Sequence, residues 1–362
     1  MKKWIALASA VALALSLTAC GNNSSTSSQS GTSGSNSSGD ASQQGETYTI
    51  KIAMSQGDVS REESAEVTWA ERFEEEVEAN SEGRIQVEIY GSDQLGSADE
   101  CLTGLLNGSL EMACLNISIM NNIAPETMML SAPALFANEE ECDAVLSGEW
   151  GQEFFNTLAE ENGVRVLSAF CNGMRCFTAN TPLTTVDSAK GLTFRVMQSE
   201  ICEKMVSAMG ANPVPMAGSE MYTALQNGTV DGQENPPVNI LNDKTYEVQD
   251  YLVMDKHIAS VVTFDISESF FQSLPEDLQK VVTDAANTVV GEAAEVCKTL
   301  NDNGVAKLEE LGMTVYTPTD EELEAWHDAM RDPCVEFLKE QVAPALAKYQ
   351  DCLKDEDTEL KV

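Results

Sequence analysis

Basic side chains are scarce in this chain. Its 362 residues carry 21 Lys and Arg against 59 Asp and Glu, a formal net charge of −38, and only two histidines, His257 and His327. A phosphate backbone needs a basic footprint that this composition does not supply, which excludes nucleic acid as a partner. Two histidines far apart in sequence leave few placements for a His-rich zinc site or a Ser-His-Asp triad. The GxSxG, HExxH and GxxxxGK[ST] patterns are missing too. Nothing points to a metal or a redox cofactor. After residue 20 no apolar run reaches the roughly eighteen residues of a membrane-spanning helix. The acidity speaks to solubility and to repulsion from anionic surfaces. The sign of a ligand is decided locally, by a few side chains.

What is present suits a folded body with an exported beginning. Apolar residues make up 43% and charged ones 22%, enough to bury a core, and the length fits two lobes of roughly 100 to 200 residues each. Lys2 and Lys3 precede an uncharged apolar stretch, residues 5–19, that is too short to span a bilayer and reads as a secretory signal. It stops at Leu17-Thr18-Ala19-Cys20, which resembles the lipobox of bacterial lipoproteins and implies that Cys20 is lipidated after cleavage. Residues 21–46, rich in Ser, Gly, Asn and Gln, are expected to form a flexible tether ahead of an extracytoplasmic body. Nine cysteines remain after Cys20, an odd number without a CxxC. Small apolar core residues are therefore a better reading than a disulfide framework.

Residues 48–54 and 84–90 alternate as strands, residues 63–79 and 99–106 read as helices, and residues 110–119 as a third strand. That alternation indicates an α/β lobe with a mostly parallel sheet, in which ligands bind beyond the carboxyl ends of strands. Those ends fall at Ser55-Gln56-Gly57 and near Asn116. Further strands are expected at 164–170, 192–197, 251–254 and 261–266. The longest helical pattern starts near Ser273 and Pro275 and stops at Gly312, reaching on the order of 55 Å, with residues 301–304 as the one place where a break is possible.

Only seven residues are arginine. Arg195 lies in an alternating strand, Leu192-Thr-Phe-Arg-Val-Met197, where a half-buried guanidinium needs a partner because an unpaired buried charge is costly. That partner is either a nearby carboxylate such as Glu200 or a ligand carboxylate, which a planar fork of donors fits well. Arg175 carries the same two readings.

Several segments in one order resemble the solute-binding proteins of tripartite ATP-independent periplasmic (TRAP) transporters. They include Gln94-Leu-Gly96, Leu106-Asn-Gly-Ser-Leu110, Asn172-Gly-Met-Arg175, Lys190-Gly-Leu-Thr-Phe-Arg195, Gly210-Ala-Asn-Pro-Val-Pro-Met216, Val230-Asp-Gly-Gln-Glu-Asn-Pro236 and Leu274-Pro-Glu-Asp-Leu278. The resemblance implies an α/β, two-lobed periplasmic-binding-protein-like fold with two mixed sheets and a long helix lying across both lobes. One lobe is expected over 47–172 plus 258–300, the other over 173–257 plus 301–362. It implies a receptor, not an enzyme, that closes on a small organic acid and delivers it to integral membrane permease subunits. Arg195 would clamp the carboxylate, Arg175 would add donors, and the Asn235 amide would bond the carboxylate or hydroxyls. Tyr222 and Gln233 are candidates for the pocket lining, Glu234 for orienting Asn235 or Arg195, and Trp69 for the cleft or the core. Asn116 and Gly218 depart from the sialic-acid-binding members, which carry an acidic and an aromatic residue there. A uronate or a C4-dicarboxylate remains open, and a secreted enzyme or a sensory receptor of the same fold are the alternatives.

Overall fold

The computed structural model describes residues 46–57 and 59–342. The signal segment, Cys20, the tether up to residue 45 and Cys352 lie outside the described residues. β1 (Tyr48–Ala53), α1 (Ala65–Asn80), β2 (Ile85–Tyr90), α2 (Ala98–Asn107) and β3 (Met112–Asn116) form the first alternating run. Then come α3 (Ile117–Met120), α4 (Glu139–Ser147), α5 (Glu149–Asn162) and the sixteen-residue strand β4 (Val164–Ala179). A second alternation follows in β5 (Thr193–Val196), α6 (Glu200–Ala208), β6 (Asn212–Pro215), α7 (Gly218–Gln226) and β7 (Gly232–Asn235). After α8 (Pro237–Asn242), β8 (Tyr251–Val253), β9 (Ile258–Ser267) and α9 (Glu268–Ser273), the chain closes with α10 (Glu276–Glu310), β10 (Thr314–Tyr316) and α11 (Asp320–Gln341).

The expected parallel sheet is there, with β2 and β3 both parallel to β1. Its helices begin where the sequence supplies caps: the Ser64 hydroxyl accepts from the Val67 amide at α1, and Ser97 and Glu100 cap each other's backbone at α2. The two mixed sheets share β4 and so join in one path, β2-β1-β3-β9-β4-β7-β5-β6, with β8 beside β4 and β10 beside β8. β4 makes the join. Through Arg175 it pairs with β9, and from Cys176 onward with β7, so one continuous strand serves both portions of the sheet.

Three expectations about local structure are corrected. β4 does not stop at residue 170: it continues through Asn172-Gly173 as a bulge, and the register with β9 shifts between Cys171 and Met174. Residues 230–236, whose dense polar and glycine composition favours a turn, contain the fully buried strand β7. The long helix does not break at residues 301–304, since α10 runs unbroken through them. Asn301 and Gly304 sit there for close approach. Gly173 has φ +103°, and a Cβ on it would fall 2.5 Å from the Asn301 amide. A Cβ on Gly304 would fall 3.1 Å from Pro237 at the start of α8. At about 1.5 Å per residue the 35 residues of α10 extend roughly 52 Å.

Buried side chains of α10, among them Leu278, Val282, Val289 and Ala293, pack with Trp69, Phe73 and Phe264 into one hydrophobic cluster. A larger cluster gathers α2, α5, α6 and α11 around β4. All eight cysteines among the described residues are free thiols, and all but Cys114 are buried. No helix among the described residues is long and apolar enough to cross a membrane.

Asp265 is the anomaly of the core. It is fully buried on β9, Thr263 donates to one carboxyl oxygen at 2.8 Å, and the other oxygen has no partner. Burial pushes its pKa up to about 8. The folded state therefore keeps a proton that the unfolded state releases near pH 4, so the stability this group contributes is full at low pH and is lost as pH rises toward 8. Urea unfolding at pH 5, 6.5 and 8 should show Asp265→Asn flattening the pH dependence by up to about 1.4 kcal/mol per unit. The variant should also exceed the parent in stability at pH 8, and parallel curves would refute the assignment.

Candidate functional site

The carboxyl ends of β1 and β3, the two places singled out by the sequence, open onto one cavity of about 270 Å³. Ser55 and Asn116 both border it, as do Arg175, Arg195 and Asn235. Asn116 also caps α3, accepting from the Ser118 amide at 3.0 Å, while its amide nitrogen donates to Ser260 at 3.2 Å.

Arg175 lies on β4 where that strand passes from β9 to β7. It is 3% exposed, and its Nε and Nη2 fork grips the fully buried Glu234 carboxylate, with Nη2 to Oε1 at 2.9 Å. Nη1 donates to Ser260 at 3.3 Å. Behind Glu234, His257 Nε2 lies 3.3 Å from its carboxylate and Nδ1 2.7 Å from Asp255. Burial works against both charges in this row, yet Arg175 and His257 hold the Glu234 carboxyl down to about 2. Burial likewise opposes the His257 charge, but Asp255 and Glu234 raise its pKa to about 9. Two cations and two anions thus make the row electrically closed.

Arg195 is different. It is 6% exposed, and its Nε and Nη2 both donate to the neutral Met216 carbonyl, at 3.0 and 2.8 Å. Glu200, its nearest candidate in sequence, is exposed at the start of α6 and no ion pair joins the two. Burial pulls the Arg195 pKa down to about 10, so it stays charged at neutral pH, a cation that forms no ion pair with a carboxylate among the described residues. Gly218 borders the cavity beside it, and even a Cβ there would stay 3.9 Å from Nη2. The guanidinium is left open to the cavity.

Four expected residues are not brought to the cavity wall. Trp69 is fully buried and stacks on Phe73 and Phe264, because α1 turns that face to the sheet. The Tyr222 hydroxyl donates to Glu247 at 2.9 Å on an exposed flank. Gln233 is fully buried; it donates to Thr178 and accepts from Asn235 Nδ2 at 2.7 Å. Glu234 orients Arg175, not Asn235 or Arg195. Gln233 takes the role toward Asn235 instead.

Sequence reasoning missed the acidic wall. Glu66, on the first turn of α1, borders the cavity at 8% exposure, accepting from Asn172 Nδ2 at 3.0 Å. Burial and the neighbouring Asp243 push its pKa up to about 7. Asp243, just past α8, is partly buried on the same cavity, accepts from Gln56 Nε2 at 3.4 Å, and is pushed up to about 6 by burial. Among the described residues no group of His, Cys, Asp and Glu is arranged to hold a metal ion.

A mixed sheet crossed by one shared strand, with a polar cavity at its strand ends and an uncompensated buried guanidinium, defines the class of two-lobed solute-binding proteins. The chain belongs to the bacterial extracellular solute-binding protein family 7, whose family model matches residues 56–341. It is 32% identical over 299 residues to a solute-binding protein of Roseobacter denitrificans, covering 82% of this chain and 90% of that one. Over 263 residues it is 31% identical to the C4-dicarboxylate-binding periplasmic protein of Rhodobacter capsulatus, covering 72% and 79%. Among solved structures, a TRAP periplasmic solute-binding protein of R. denitrificans with bound L-galactonate superposes with a TM-score of 0.77 at 30% identity, over 84% of this chain and 99% of that one. These relatives are binding proteins of transporters, and the chain is a binding protein. The alternative of a secreted enzyme is thereby set aside.

Removing the acceptor from the closed row should be felt throughout it. Glu234→Gln leaves Arg175 without its counter-charge in a dry site, and breaking such a pair costs about 3 to 5 kcal/mol. Urea unfolding of the variant at pH 6.5, below the folded His257 pKa, measures this, and a loss under about 1 kcal/mol would contradict the arrangement.

Proposed function

We propose that the protein is the extracytoplasmic receptor of a TRAP transporter. It captures a small carboxylate-bearing solute in the cavity and hands it to membrane permease subunits. Arg195 carries this reading: a buried guanidinium bordering a cavity and bonded to nothing but a carbonyl is completed by a ligand carboxylate. Arg175, fixed by Glu234, stands as the second donor set, and Asn235 as an adjustable polar partner. The acid is a sugar acid such as a uronate, or a C4-dicarboxylate. In support, the R. denitrificans relative holds L-galactonate and one from Shewanella oneidensis holds succinate. Closure would bring together the lobes at 47–172 plus 258–300 and 173–257 plus 301–362, whose first boundary falls beside the Gly173 bulge and whose last lies within α10. Cleavage and lipidation at Cys20 would tether the body to the outer face of the cell membrane.

Thermal unfolding of residues 46–362 against uronates, aldonates, C4-dicarboxylates, sialic acid and neutral sugars tests the proposal, with Arg195→Ala alongside. One acid class at a hundred times its Kd should add about 2.7 kcal/mol to the wild type. Loss of Arg195 should cost about 3 kcal/mol of binding, roughly a hundredfold in Kd. A shift by neutral sugars alone, or an undiminished shift in the variant, would overturn the reading.

A further inference from the structure

The cavity carries more acceptors than a second carboxylate could tolerate. Arg175 and Arg195 are the two cations on its wall, and Arg175 is already matched by Glu234. Arg195 therefore remains as the one of the two guanidinium groups that no carboxylate hydrogen-bonds, which suits one ligand carboxylate. Against it stand Glu66, 8% exposed and forming no ion pair, and Asp243, whose hydrogen-bond partner is the Gln56 amide. Asn235 adds a third acceptor: its amide nitrogen is committed to Gln233 and Met221, leaving its carbonyl oxygen uncommitted among the described residues.

The two acids are not equally placed. Arg195 and Arg175 both draw the Asp243 pKa down, whereas Glu66 feels Asp243 and no arginine. Both acids line the same cavity as Arg195, and neither forms an ion pair. A solute anchored at Arg195 therefore shares the cavity with these carboxyl groups. A second carboxylate there would meet like charge or require the carboxyls to take up a proton, while a hydroxyl or an amino group would donate into them.

We propose that the solute is a monocarboxylate whose other polar groups present hydrogen-bond donors to Glu66, Asp243 and Asn235, and that these acceptors select against a C4-dicarboxylate. This rests on the carboxylate-receptor reading above and narrows its ligand class. Hydroxyls and amines share the donor chemistry, and the test separates them.

Calorimetric titration of residues 46–362 at pH 7 with L-galactonate, D-glucuronate, γ-aminobutyrate and succinate, repeated on Glu66→Gln, decides the matter. At least one of the three donor-bearing acids should bind roughly a hundredfold tighter than succinate, and which one it is distinguishes a hydroxylated from an amino tail. Glu66→Gln should weaken that acid about tenfold and leave succinate unweakened. Asp243→Asn replaces it if the Gln variant fails to unfold cooperatively. Succinate binding as tightly as the best of the other acids overturns this inference while leaving the receptor reading intact, and so does an equal loss for both ligand types in the variant. If no acid binds, both fall.

Discussion

The pairing of Arg175 with Glu234 sets the electrostatics of everything around it. Two buried strands, β4 and β7, meet at this ion pair, and His257 and Asp255 extend it into a row of alternating charge. A lone buried charge is expensive, so such a row persists only when its members balance and their lone pairs are filled. Balance has a consequence at the cavity. Arg175 can offer geometry and donors there, but little net charge, and Arg195 becomes the group on which an anion must depend. The strong site is thus the one the protein leaves incomplete.

Holding Arg175 in register demands an irregular strand. β4 must follow β9 and then pass to β7, and the bulge at Gly173 supplies the bend between the two pairings. The same glycine receives Asn301 from α10, whose amide also reaches the backbone at Asn172 and Val238. One helix residue therefore touches the strand that bears Arg175 and the start of α8, which ends beside Asp243. The cavity's cationic and acidic walls are braced against a common helix.

Much of the frame was legible because it obeys local rules. Alternation marked β1, β2 and β5, helical patterning marked α1 and α2, and the strand-end rule led from β1 and β3 to Ser55 and Asn116. The rest was hidden where tertiary pairing overrules local pattern. β7 reads Gly-Gln-Glu-Asn, a turn composition, and is a buried strand because Arg175, Thr178 and Gln233 satisfy its polar groups. Residues 301–304 were a possible break, although Asn301 and Gly304 are polar or small for the sake of close approach. Glu66 gave no signal at all, since an acidic residue on the first turn of a helix is already favoured by the helix dipole. Its second role depends on what α1 faces, which no spacing along the helix reveals. Trp69, one turn further on, was weighed for the cleft or the core and faces the core.

An acidic protein that captures an acid also separates two ranges of electrostatics. At physiological ionic strength charges are screened over about 8 Å, so a net charge of −38 repels an anionic solute only in the last stretch of its approach. Inside a desolvated cavity the local guanidinium dominates, because its interaction is not screened by mobile ions. The surface charge then acts mainly on rate, slowing encounter, while Arg195 acts on residence. On the proposed reading, Glu66 and Asp243 would sharpen the same division within the cavity itself. Their acceptors would add nothing to the attraction of a carboxylate, but they would penalise a solute with charge at both ends, which would account for a cavity proposed to hold an acid being lined by acids.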